Sequence, residues 1–134
     1  MSHIVSIQTQ IRDKAAVEAA CLRLQWPEPE QGSFRLFNST VEGLGVRAPR
    51  WQYPIVCELQ TGQLHYDNFE GRWGDPKHLD KFKQAYAIEK TKLEARRQGR
   101  SVFETSLKDG SVQLVVEIQS GSNPGQLQES GGVL

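Results

Sequence analysis

The sequence predicts an α+β fold: a mostly antiparallel sheet of about seven short strands with two helices on one face. Three observations carry this. Apolar and polar residues alternate in several short runs separated by turn residues. Two longer stretches, opening at Asp13 and Asp75, place apolar residues at helical spacing behind a capping carboxylate. The resulting order, β-α-β-β-β-β-α-β-β, contains neighbouring strands that read as hairpins.

Over Ile4–Ile11, Val5, Ile7, Thr9 and Ile11 share one face, while Ser6, Gln8 and Gln10 share the other, as in a half-buried strand. Asp13 then offers a carboxylate to the free N–H groups of a first helical turn. Val17, Ala20, Cys21 and Leu24 follow at helical spacing, and Trp26-Pro27-Glu28-Pro29 ends the helix, with Trp26 packing beneath it. Ser33–Asn38 carries Phe34 and Leu36 on one face and Phe37 on the other. Val41, Leu44 and Val46 mark a weaker strand, loosened by Gly43 and Gly45. Tyr53, Ile55, Cys57 and Leu59 form an apolar strand face, Thr61-Gly62 a tight turn, and Leu64 and Tyr66 the returning strand. Val41–Tyr66 thus reads as a three-stranded meander.

Residues 69–74 form a glycine-punctuated loop. Asp75-Pro76 starts the second helix, because proline at the first helical position lacks only an N–H that would be unpaired anyway. Leu79, Phe82, Ala85, Tyr86, Ile88 and Leu93 supply its apolar stripe, and Gly99 ends it, giving a helix over about 76–98. Strands Val102–Lys108 and Ser111–Gln119 flank Asp109-Gly110, a signal for a type I′ hairpin. Residues 1–119 read as one α+β domain and residues 120–134 as a flexible Gly/Ser-rich tail. Gln8, Gln10, Glu58, Gln60, Gln113 and Glu117 are expected on a wet sheet face.

Composition excludes several classes. Across 134 residues, 16 Lys and Arg balance 16 Asp and Glu, which argues against a generally basic nucleic-acid coat. No apolar run approaches the roughly 20 residues of a membrane helix, so no membrane contact is expected. Met1-Ser2-His3-Ile4 lacks the basic and apolar regions of a signal peptide. Cys21 and Cys57 fall on apolar faces and read as core residues in a reducing, cytoplasmic setting. His3, His65 and His78 are scattered without metal-ligand spacing, so neither metal nor cofactor is expected. Nucleophile-elbow, Walker and dinucleotide signatures are missing, and no catalytic residue is assigned. His65 near Glu58 or Asp67 reads as a cross-strand polar pair rather than an acid–base couple.

Met1-Ser2-His3 followed by Ile-x-x-Ile-x-Thr-x-Ile-x-Asp over Ile4–Asp13 resembles the start of the hypothetical chloroplast reading frame thirty-five family. That family occurs in plastids, cyanobacteria, other bacteria and phages. Gln84-Ala85-Tyr86-Ala87, Arg97-Gln98-Gly99, and Asp109-Gly110-Ser111 followed by Leu114-Val115-Val116 are similar to its second helix and final hairpin. The likeness covers about residues 1–118 and is weak over 30–72. Glu117-Ile118 and the Gly/Ser tail replace the Arg-Trp-like ending common in the family. The resemblance implies a soluble protein with no defined active residue. It also implies an accessory or adaptor role beside an AAA-type ATPase.

Binding surfaces are sought where charge and aromatics concentrate. Lys77–Arg100 holds eight basic residues against three acidic ones, a net +5 that the rest of the chain cancels. Lys83, Lys90 and Arg97 recur at seven-residue intervals and share a helix face that suits an acidic partner or phosphate. Trp51 and Trp73 fall in loops with Arg72 close by, a composition common to protein hot spots and single-strand binders. Ser130-Gly131-Gly132 resembles a diglycine end but reads as tail. The leading expectation is a non-enzymatic protein-binding or adaptor module with an unidentified, acidic partner. Single-stranded nucleic-acid binding by the same groups is the alternative, and a small-molecule enzyme is third.

Overall fold

The structure is a computed structural model that describes residues 4–118 and 130–133. Met1–His3, at the start of the family-like motif, Gln119, the expected end of the last strand, and residues 120–129 and 134 of the expected tail lie outside the described residues. The fold is α+β with antiparallel sheets, as the patterning predicts. The chain divides into two compact units, one ending at Tyr86 and the other beginning at Ala87. The division falls inside the second helix.

The first unit opens with β1 (Val5–Gln8) and α1 (Lys14–Leu24), followed by β2 (Glu30–Arg35), β3 (Thr40–Val46), β4 (Ile55–Glu58) and β5 (Gln63–Tyr66). Its sheet has the order β1-β5-β4-β3-β2, every neighbour antiparallel. The meander β3-β4-β5 is the one read from the sequence. β1 instead pairs across the chain with β5, Ser6 opposite His65 and Ile7 opposite Leu64. It stops at Gln8, three residues short of Ile11; Thr9 N–H still donates to Gly62 O at 2.9 Å in the same register, and Ile11 then lies at a buried position.

Asp13 caps α1 as expected: its Oδ1 accepts from Ala15 N at 3.0 Å and from Ala16 N at 3.4 Å. Ala16, Val17, Ala20 and Cys21 form the buried stripe of α1, and Gln25 closes the helix in a left-handed conformation. β2 begins three residues before the alternation suggests, because Glu30 and Gln31 pair with Gly45 and Leu44 of β3. Leu36 leaves the strand and lies fully buried in the following turn, its N–H donating to Ser39 O at 2.8 Å.

Gly45 has a structural use that the patterning obscures. A Cβ there would stand 2.5 Å from Phe34 Cζ, so the bare backbone lets the Phe34 ring lie flat across the sheet. Val56, opposite Gly45, is fully buried although alternation places it beside Glu58 on the polar face. The core on the opposite face is built from Leu44, Val46, Ile55, Cys57 and Leu64, all fully buried.

The second helix, α2 (Pro76–Arg97), starts behind Asp75, whose Oδ1 accepts from Lys77 N at 3.0 Å. In the first unit it buries Leu79, Phe82, Ala85 and Tyr86. The Tyr86 hydroxyl accepts from Arg12 N and Asp13 N, each at 3.1 Å, and so satisfies two backbone donors at the entrance to α1.

The second unit holds the rest of α2, then β6 (Arg100–Ser106), β7 (Val112–Ile118) and β8 (Ser130–Val133), in the order β6-β7-β8. The strands therefore form two sheets instead of the single sheet predicted. Alternation fixes which faces are apolar but not which strands share a ladder. Ile88, Val112 and Leu114 make the core here, with Val102 packed against them. Gly99, at φ 71°, closes α2 as expected. The β6–β7 turn differs from the expected type I′ form. Asp109 keeps negative φ, Gly110 alone is left-handed at 87°, and Leu107 N donates to Ser111 O at 2.9 Å. This is a three-residue loop with glycine at its last position, and the Asp109 side chain, accepting from Ser111 N at 3.0 Å, favours it. Of the expected tail, Ser130–Val133 is described, and it pairs by its backbone with β7.

Candidate functional site

The loop after β5 is locked by two buried side chains. Asp67 Oδ1 accepts from Phe69 N at 3.1 Å, and Asn68 Nδ2 donates to Gly74 O at 3.3 Å. Trp73 N returns to Asn68 O at 2.8 Å. Between these ties Phe69 and Glu70 sit at φ 48° and 54°, a left-handed conformation that disfavours side chains other than glycine. The strain presents a group of rings. Trp73 lies 4.7 Å from Phe69, 5.3 Å from Phe37 and 5.8 Å from Tyr53, centroid to centroid. Arg72 holds its guanidinium carbon 5.1 Å from the Phe69 centroid. Phe37 is 49% exposed, so the group opens to solvent. A partner meeting this surface finds apolar area, π faces and one fixed cation together.

Trp51, read from the sequence as a binding aromatic, has a different place. Its Nε1 donates to Asp75 O at 3.1 Å, and its ring meets Tyr66 at 5.8 Å. It also lies against Gly74, where an added Cβ would run into the indole, so the residue fastens the loop to the start of α2. Trp73 and Arg72 do come together; Phe37 and Tyr53 join them from separate segments. Sequence patterning had given those two to strand faces, and their convergence with Trp73 depends on the sheet order.

The basic helix face is weaker than its spacing suggests. Lys83 is exposed in the first unit. In the second unit Lys90 Nζ lies 2.9 Å from Glu94 Oε1, and Arg97 Nη1 lies 2.7 Å from the same oxygen. The hydrogen bond from Lys90, with help from Arg97, holds the Glu94 carboxyl below its usual range. One carboxylate thus occupies two of the three expected cations. The intervals i,i+4 and i,i+3 were present in the sequence and were the signal for it.

The wet face of the first sheet carries a three-strand polar chain. His65 Nε2 stands 3.0 Å from Glu58 Oε2, and Ser6 Oγ stands 2.7 Å from His65 Nδ1. A carboxylate only accepts, so Nε2 carries the proton, and a neutral ring accepts from Ser6 at Nδ1. The hydrogen bond from His65 is the main cause of a Glu58 pKa below 4.5. A lowered carboxyl pKa stabilises the fold fully above 4.5, and that contribution is lost as pH falls through the folded value. NMR titration of the Glu58 carboxyl is therefore expected to give a midpoint below 4.5 in the native chain and a return toward 4.5 in His65→Asn. Equal midpoints in both proteins would contradict this account.

Cys21 and Cys57 are free and buried. Burial, with Glu18 adding to it, pushes the Cys21 thiol up to about 11; burial, with Cys21 adding to it, pushes Cys57 up to about 12. Both stay protonated and act as packing residues rather than nucleophiles. Among the described residues, no group of three His, Cys, Asp or Glu side chains is placed to hold a metal ion, and no helix is long and apolar enough to cross a membrane. The chain matches no protein-family model, no curated protein and no solved structure at a significant level.

Proposed function

We propose that this chain is a non-enzymatic protein-binding or adaptor module whose partner docks on Phe37, Tyr53, Phe69 and Trp73 beside Arg72. The observation that carries the reading is the half-exposed Phe37 ring set against a strained, fastened loop of aromatics. Rigid aromatic area with an adjacent arginine is the composition of interface hot spots. The matching partner surface is apolar with a carboxylate for Arg72, consistent with an acidic partner. The free thiols fit a reducing, cytoplasmic location.

The AAA-type ATPase implied by the family resemblance is the first partner to try. Immobilised full-length chain should retain it, and Phe37→Ala with Arg72→Ala should weaken retention at least about tenfold, the effect of losing one modest hot spot. Lys83→Glu should leave retention within about twofold. Retention unchanged by the double variant would remove the aromatic surface as the contact.

A further inference from the structure

The second unit carries a groove of about 360 Å³, lined by Lys92 and Arg96 from α2 and by Arg100, Ser101, Val102 and Phe103 from β6. Its described lining has three cations and no carboxylate. The cations differ in how they are engaged. Lys92 Nζ is held by Glu104 at 3.1 Å and by Glu89 at 3.7 Å. The Arg96 and Arg100 guanidiniums make no hydrogen bond or ion pair among the described residues; only the backbones are engaged, Arg96 O accepting from Gly99 N at 3.0 Å and Arg100 pairing with Ile118. Phe103 is 55% exposed, the most exposed aromatic ring described. β6 is also an edge strand of its sheet.

We propose that this groove binds single-stranded nucleic acid, with Arg96 and Arg100 on successive phosphates and a base stacked on Phe103. Two unpaired guanidiniums suit phosphate oxygens, which they meet with paired donors. An exposed ring on the same edge strand suits a base, since every base offers a π face whatever its identity. Neither feature alone selects nucleic acid; a ligand that alternates anion and flat ring satisfies both. The site lies in the second unit and does not use the aromatic cluster of the first, so it stands or falls separately from the protein-binding reading.

The test is fluorescence anisotropy of a labelled oligothymidylate of about ten nucleotides, a length within the site sizes of single-strand binders. The full chain is used, from about 50 to 200 mM salt. Wild type should bind at the low-salt end, with affinity falling log-linearly as salt rises. Arg96→Gln with Arg100→Gln should weaken binding at least about tenfold. It should also flatten the salt slope by about 1.4, the share of two phosphate contacts on a single strand. Phe103→Ala should weaken binding about tenfold while leaving the slope unchanged. Lys83→Glu should bind within about twofold of wild type. Unaltered thermal melts of the glutamine and alanine variants confirm that the fold is kept. Absence of wild-type binding at low salt, variants that bind as wild type does, or displacement of the oligonucleotide by an equal concentration of polyglutamate would each overturn the proposal.

Discussion

Phe82→Ala is expected to destabilise the first unit by about 3–5 kcal/mol, the usual cost of emptying a large aromatic site in a packed core. Phe82 is fully buried on α2. Its ring stacks on Trp26 at 6.3 Å with 20° between planes, and Trp26 in turn meets His78 edge-on at 6.1 Å. Removing Phe82 therefore leaves a cavity and also withdraws one support of Trp26, the residue that follows the end of α1. Small domains hold only about 5–15 kcal/mol in total, so the variant should be partly unfolded under mild stress. The chain reports this directly. Trp26, Trp51 and Trp73, together with Tyr53, Tyr66 and Tyr86, all precede Ala87, so intrinsic fluorescence follows the first unit alone. Urea titration should move the midpoint strongly downward with the slope unchanged. A shift worth less than about 1 kcal/mol would show that Phe82 does not support that core.

How much of this was legible in the sequence depends on the range of the interaction. Asp13, Asp75-Pro76 and Gly99 mark helix ends because capping is a contact between near neighbours, and all three act as read. The β4–β5 hairpin was legible for the same reason. The β6–β7 hairpin was legible in its strands but not in its turn, since Asp-Gly serves both a two-residue and a three-residue loop. Pairing of β1 with β5, burial of Val56 under a glycine-bearing neighbour and the division into two sheets rest on long-range packing, which periodicity does not encode. The candidate site shows the same split. Arg72 and Trp73 stood out as loop residues, while Phe37 and Tyr53 join them only once the strands between are ordered. Arg96 and Arg100 were counted as charge, and only the surroundings of each cation separate them from Lys90 and Arg97.

Gly62→Ala is expected to cost about 2–4 kcal/mol, and the cost should fall on β1. Gly62 sits at φ 82°, a conformation that costs a residue with a Cβ about 1–2 kcal/mol. The added carbon would also run into the Thr9 carbonyl oxygen and approach Arg12 Nε to 3.2 Å. That clash matters because β1 is anchored through this turn. Thr9 N donates to Gly62 O at 2.9 Å, as does the Thr9 hydroxyl; Gln8 Nε2 and Arg12 Nη2 donate to Thr61 O at 2.6 and 3.2 Å. Moving the turn away loosens several of these bonds together, each worth about 1 kcal/mol. Gly110→Ala isolates the two contributions. Gly110 has nearly the same φ, 87°, but a Cβ there meets nothing within 4 Å, so its loss should stay near about 1–2 kcal/mol. Hydrogen exchange separates the outcomes. Gly62→Ala should expose the amides of Val5–Gln8 well before those of β3 and β4, because β1 is an edge strand held on one side only. Equal destabilisation by the two substitutions, or unchanged protection in β1, would show that the turn tolerates the carbon and that the strand is anchored elsewhere.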